Sequence, residues 1–368
     1  MTDVHITLTC DQEDVANGPE QNPEEDRDWA LGLNRVSLDL MGIWPHRDDT
    51  PRLASLRTLR VPMMIGNLIF ATILPQTYAL SLVYKDLPLA LDNVATNIAS
   101  VMATMKLILF WQNRHDLYAL LKEAMDDWLV DKSTWERSVM KKQARRARIF
   151  TISGYACLLG CVANYTLLPY FGLTPRILNN ITDPGMYDGR FFPMQVAFPF
   201  DSTKSPVFEV IYFFAMMGVF YDGVAFTVPD NLFGALVFHC SAQFEMLGVK
   251  MQQLLNGPLG FDINKQSLFE TRLKQVVDTH IRLISFIQKV ERSFNGIILS
   301  QIIGLSATGC CYGFQILDIL DKEEESIPLI RFCICAGAAF TLMLQMLIYC
   351  LASEVFLEHV SFPCYTMC

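Results

Sequence analysis

Charge is scarce in this sequence. Asp, Glu, Lys and Arg make up 18% of its 368 residues, against about a quarter in ordinary soluble domains. Beside a hydrophobic share of 52%, that scarcity excludes a soluble body unless long uncharged runs vanish into one core. The amino end lacks a basic n-region followed by a short apolar stretch, so no cleavable signal peptide is read there. Cysteine is missing from the segments expected outside the membrane, although the chain holds 11, which argues against a disulfide framework. No HExxH, GxSxG or Walker-type glycine loop occurs, so the common hydrolase and nucleotide-binding motifs are wanting. The histidines (His5, His46, His115, His239, His280, His359) form no close pair. His239 and His280 read as packed or hydrogen-bonded, and Cys310/Cys311 and Cys333/Cys335 as small packing residues. No enzyme, cofactor, metal or nucleic-acid partner is expected.

What the chain has instead is hydrophobic runs of bilayer length. Uncharged stretches cover Val61 to Val83, Ile149 to Phe171, Asn295 to Leu317 and Phe332 to Ser353, and about 20 helical residues cross a hydrocarbon core. Two further candidates carry one charge each: Asn93 to Trp111 with Lys106, and Val210 to Val228 with Asp222. The reading is an all-α, polytopic transmembrane bundle of six spans. Residues 1–50 form an acidic polar tail with a pre-membrane segment, 51–353 the membrane domain, and 354–368 a short C-terminal tail.

Orientation follows from Lys and Arg near the span ends. Of the 29, 22 fall in the amino tail and in the segments between spans two and three and between four and five. Five fall on the other side: Lys85, Arg176, Arg190, Lys204 and Lys322. That split predicts a cytoplasmic amino end. Asn180-Ile181-Thr182, an N-glycosylation sequon in the long segment after span three, agrees with it.

Between the spans, Leu117, Leu121, Ala124 and Trp128 recur at helical spacing, with Lys122, Asp126 and Asp127 off that stripe. Leu236 to Leu254 carries a helix past Pro229 until Asn256-Gly257-Pro258 breaks it, and Leu273 to Phe294 forms another amphipathic run. These read as helical extensions of the bundle into the cytoplasm; helices lying on lipid headgroups are the alternative. From Gly172 to Glu209, five prolines exclude a long helix. The aromatic pairs there fit either a lid or a loop resting on the bundle.

A ligand site is expected in the outer halves of the spans. Asn93, Asn97, Ser100 and Thr104 make one polar helix face, and such a face turns to protein or a cavity because lipid offers no partners. Tyr212, Phe213, Met216 and Phe220 form an aromatic and thioether stripe, and Cys161, Asn164, Tyr165 and Leu168 lie near the end of span three. Walls of this kind suit a small, mostly apolar ligand; ordinary helix contacts are the bland alternative. Lys106 and Asp222, the intramembrane charges, are expected to pair, with snorkelling of Lys106 as the other option.

Local motifs carry a family resemblance. Asn34 through Met41-Gly42-Ile43-Trp44-Pro45 resembles the pre-membrane signature of insect odorant receptors. Pro229-Asp230-Asn231-Leu232-Phe233 with His239 and Gln243, His280 with Phe286, Glu291, Phe294 and Gln301, and Gln345-Met346-Leu347-Ile348-Tyr349-Cys350 resemble later helices of that family. The resemblance implies a plasma-membrane subunit of an odorant-gated cation channel. It also implies a hetero-tetramer with the family's co-receptor and a pocket for a small volatile molecule. Matching positions favour Asn97, Tyr165, Phe213 and Met216, with Ser100 and Phe220 beside them. The family has seven spans, and no seventh is recognised in 354–368, so a C-terminally shortened member that conducts nothing alone is the expectation. A gustatory receptor shares the topology and is the alternative. A G-protein-coupled receptor would need the opposite orientation.

Overall fold

Asn22 accepts a hydrogen bond from the Glu24 N–H at 3.1 Å, and Pro23 follows in the first turn, so a helix starts there. This helix, α1 (Pro23–Leu40), ends in a Schellman turn. The Gly42 N–H donates to Asp39 O and the Ile43 N–H to Leu38 O, both at 2.9 Å. Gly42 has φ +71°, which only glycine adopts freely, and Ile43 and Leu38 meet in the main core. That turn is the physical content of the Met41-Gly42-Ile43 motif.

The computed structural model describes residues 22–44, 57–170, 192–202, 204–256 and 263–321, with 332, 335–343, 345–347, 349–350 and 354 beyond them. Six further helices follow α1: α2 (Arg60–Val83), α3 (Leu87–Gln112), α4 (Arg114–Leu129), α5 (Thr134–Tyr170), α6 (Val207–Leu255) and α7 (Ile263–Asp321). A capping box opens α5, with the Ser133 N–H donating to Glu136 at 2.9 Å and the Glu136 N–H to Ser133 Oγ at 3.3 Å. No strand occurs among the described residues, so the fold is all-α as expected. Of the described helices, α2, α3, α6 and the Gln266–Asp321 part of α7 are long and apolar enough to cross a membrane, and Cys335–Leu347 is a shorter apolar stretch. The uncharged run from Ile149 lies on α5.

Length shows how far the helices outrun a bilayer. With 49 residues in α6 and 59 in α7, a rise of about 1.5 Å per residue gives roughly 74 and 88 Å. A hydrocarbon core is only about 30 Å thick, so both helices continue well past it. Pro229 lies inside α6 without ending it, and α6 stops at Leu255 with Asn256 as its cap.

The middle of α6, from Val224 to Gly248, is buried almost throughout and forms the axis of the bundle. Leu117, Leu120 and Leu121 of α4 are fully buried in the same core as Leu232 and Phe294. So α4 packs into the bundle and does not lie apart on a surface. Asp127, expected off the stripe, is buried with it. Burial pushes its carboxyl up, but His239 at 3.1 Å and Arg282 at 2.7 Å outweigh that and hold it down at about 2. His239 is therefore hydrogen-bonded, as its setting implied. Phe70, Leu159 and Met343 stand exposed, as side chains facing lipid tails must.

Candidate functional site

Helix α2 prepares one wall through a local defect. Pro75 has no N–H to give, and the preceding turn widens into a π-helix over Leu68–Ile73, with the Leu74 N–H reaching Ile69 O. Such single turns often mark functional positions. Here the carbonyls around it serve other elements. Ile73 O accepts from Thr77 Oγ1 at 2.8 Å and from Asn97 Nδ2 at 3.4 Å, and Pro75 O accepts from the Ala197 N–H at 3.2 Å.

That last bond belongs to a segment wedged into the bundle. Residues 192–202 run without helix between Pro193 and Pro199, and Met194, Gln195, Val196 and Ala197 are buried. Gln76 Nε2 donates to Met194 Sδ at 2.8 Å, and Asn93 Nδ2 to Gln195 O at 3.2 Å. Met194 and Val196 pack with Val219 of α6 and with Val162 and Tyr165 of α5. Expected to form a lid or to rest on the bundle, the described part of these loops is instead buried within it. It closes the end of the bundle where α2 stops and α3 begins.

Beneath it, the polar face of α3 turns inward as expected. Asn97 Nδ2 donates to Thr77 Oγ1 at 3.1 Å, Ser100 Oγ to Asp222 Oδ2 at 2.8 Å, and Thr104 Oγ1 back to Ser100 O at 2.9 Å. Several atoms on this line have no partner among the described residues: Gln76 Oε1, Asn93 Oδ1, Asp222 Oδ1, and both polar atoms of the Gln195 side chain. An unfilled buried polar atom costs about 1–3 kcal/mol, so each of these has a hydrogen bond to give to or take from a guest or water.

A second polar group lies deeper. Lys106 Nζ, fully buried, donates to Asp230 Oδ1 and Gln301 Oε1, each at 2.6 Å, and to Phe226 O at 3.2 Å. Gln345 Nε2 donates to Asp230 Oδ2 at 3.0 Å, and Tyr349 Oη to Gln301 Oε1 at 3.1 Å. One ammonium thus ties α3, α6, α7 and the C-terminal helical stretch together. Asp230, Gln301, Gln345 and Tyr349 all belong to the motifs that carried the family resemblance.

The expected Lys106–Asp222 pair is corrected by this network. Ser100, not Lys106, holds Asp222, and Lys106, bound to Asp230, does not snorkel. Lys106 stands six residues past Ser100, about 9 Å further along α3, which takes its ammonium to the level of Asp230. Asp230 lies just past the apolar run that defined the fourth span, and so was not counted as intramembrane.

The other candidates divide by burial. Tyr165, Met216 and Phe220 are half-buried, Tyr165 against the wedge and Phe220 against the main core. Phe213 is 60% exposed, with its ring against Phe214, and is not brought to the site. Asn180 and the side chains of Asn164 and Leu168 lie outside the described residues. Sequence reasoning missed Gln76, Met194 and Gln195, single residues in a span and a loop with no periodic signal.

Residues 86–361 match the model of a family described as 7tm Odorant receptor. Odorant receptor 13a of Drosophila melanogaster is 24% identical over 300 residues, covering 78% of this chain and 68% of that protein. Odorant receptor 10a of the same species is 23% identical over 348 residues, covering 92% and 82%. Among solved structures, the olfactory receptor OR5 of Machilis hrabei in complex with eugenol matches with a TM-score of 0.70 at 17% identity. That match covers 94% of this chain and 84% of the other.

Proposed function

The chain belongs to the odorant receptor family, and from that premise we propose that it is the odorant-binding subunit of a ligand-gated cation channel working with the family's co-receptor. It is a multi-pass membrane protein with the all-helical receptor fold, and a receptor rather than an enzyme. The observation that carries the ligand-binding part is the wedge at 192–202 lying over the polar line of α3. Tyr165 packs against the wedge and Met216 and Phe220 lie half-buried on α6, apolar groups that join a few amide and carboxyl groups in the composition of a site for a small volatile molecule. Asn97 and Ser100 belong to this site as positioning residues, since each fixes a neighbouring helix. The amino end is cytoplasmic on the charge count, which puts the wedge on the outer face, where odorants arrive. The 22-to-5 distribution of Lys and Arg supports that direction.

In cells carrying this chain together with the co-receptor, a panel of small volatiles is expected to evoke a cation current that neither chain gives alone. An epitope tag at the amino end is expected to bind antibody only after permeabilisation. A correctly oriented pair that stays silent to every volatile, or that answers identically to the co-receptor alone, overturns the functional reading. Staining of intact cells overturns the orientation.

A further inference from the structure

The unpartnered atoms of the site under the wedge are unequal in kind. Asn93 gives its amide N–H to Gln195 O, and Gln76 gives its own to the Met194 sulfur. Each is left with a carbonyl oxygen that nothing described fills. Asp222 takes the Ser100 hydroxyl on one oxygen and has the other unfilled, and Gln195 has both ends of its side chain unfilled. Three amide acceptors, Gln76 Oε1, Asn93 Oδ1 and Gln195 Oε1, therefore stand against one amide donor, Gln195 Nε2, with the Asp222 carboxyl beside them. Gln76, Asn93 and Gln195 are at most 3% exposed, so bulk water does not cover them.

We infer that this site selects molecules bearing an O–H or N–H donor, alcohols and amines, over ethers and esters of the same shape. The inference rests on the receptor reading above and adds the chemical class of the ligand. An ether brings only another acceptor to oxygens that already lack a donor, and it leaves every one of them unfilled. An alcohol fills one while its own oxygen can accept from Gln195 Nε2. An amine adds a charge that the Asp222 carboxyl favours. Sites built to hydrogen-bond a ligand hydroxyl reject analogues without it far more strongly than apolar pockets reject a missing methylene.

Equilibrium binding to the purified full chain in lipid nanodiscs tests this. The probes are matched sets with one carbon skeleton carrying a hydroxyl, an amine or a methyl ether, for example 2-phenylethanol, 2-phenylethylamine and 2-phenylethyl methyl ether, extended over linear and cyclic skeletons. For skeletons that fit, the hydroxyl or amine form is expected to bind at least about tenfold more tightly than the ether. In Gln195→Leu, and separately in Asp222→Leu, that ratio is expected to fall towards one while ether binding persists. Gln195→Leu removes an amide with no partner, so it keeps the fold even if Asp222→Leu does not. Ethers binding as tightly as their alcohols, or an unchanged ratio in Gln195→Leu, overturns the inference and leaves the receptor reading standing. Binding by no member of any set counts against the receptor reading itself, and against this inference with it.

Discussion

Lys106→Met is expected to lower the stability of the bundle by about 3–5 kcal/mol, because it leaves the Asp230 carboxylate buried without its cation. Total stabilities of ordinary proteins are about 5–15 kcal/mol, so most of the variant should fail to reach the cell surface. The loss reaches past one ion pair. Lys106 also donates to Gln301 and to Phe226 O, and Gln345 and Tyr349 reach the same network from the C-terminal stretch. Removing both charges with Lys106→Met and Asp230→Leu should recover much of the loss, since buried ion pairs are often replaced by apolar groups at little cost. Combining Lys106→Met with Asp222→Asn should show plain additivity, because that carboxyl belongs to Ser100. Surface labelling and thermal midpoints in detergent measure all three. A stable Lys106→Met variant, or coupling to Asp222 in place of Asp230, contradicts the network.

Gly42→Val is the second large effect. The position has φ +71°, and holding a side-chain-bearing residue there costs about 1–3 kcal/mol, more for a branched one. Space adds to the strain, because a Cβ at Gly42 would collide with the backbone carbonyl of Arg57, which cannot swing aside as a side chain does. The turn would open, and with it the contact between α1 and the start of α2 that Asp39 makes through its carbonyl to Arg60 at 2.6 Å. Gly32 is the control. It sits inside α1 with nothing within 4 Å of an added Cβ, so Gly32→Ala should stabilise by about 0.5–1 kcal/mol. Equal midpoints for the two variants would show that the Schellman turn contributes nothing.

The fold was legible because its signals are local and long. Uncharged runs announced bilayer-length helices, and a break at Asn256-Gly257-Pro258 ended α6 where expected. The polar face of α3 was legible too, since Asn93, Asn97, Ser100 and Thr104 keep helical spacing. Their partners were not. Gln76 meets Met194 across 118 residues and Ser100 meets Asp222 across 122, and periodicity within one helix says nothing about the register between two. Asp230 was misplaced because a hydropathy run ends before the helix leaves the buried interior. The π turn before Pro75 was not legible, because a proline in a span tells of a disturbed ladder but not which carbonyls it frees.

Site-resolved thiol labelling tests the ligand site most directly. Single substitutions Tyr165→Cys and Asn97→Cys lie under the wedge, and Phe213→Cys lies on an exposed part of α6. With an activating odorant present, a small thiol reagent followed by peptide mass spectrometry should find labelling slowed at residues 165 and 97 and unchanged at 213. Equal protection at all three, or protection at residue 213 alone, would contradict a ligand held beneath the 192–202 segment.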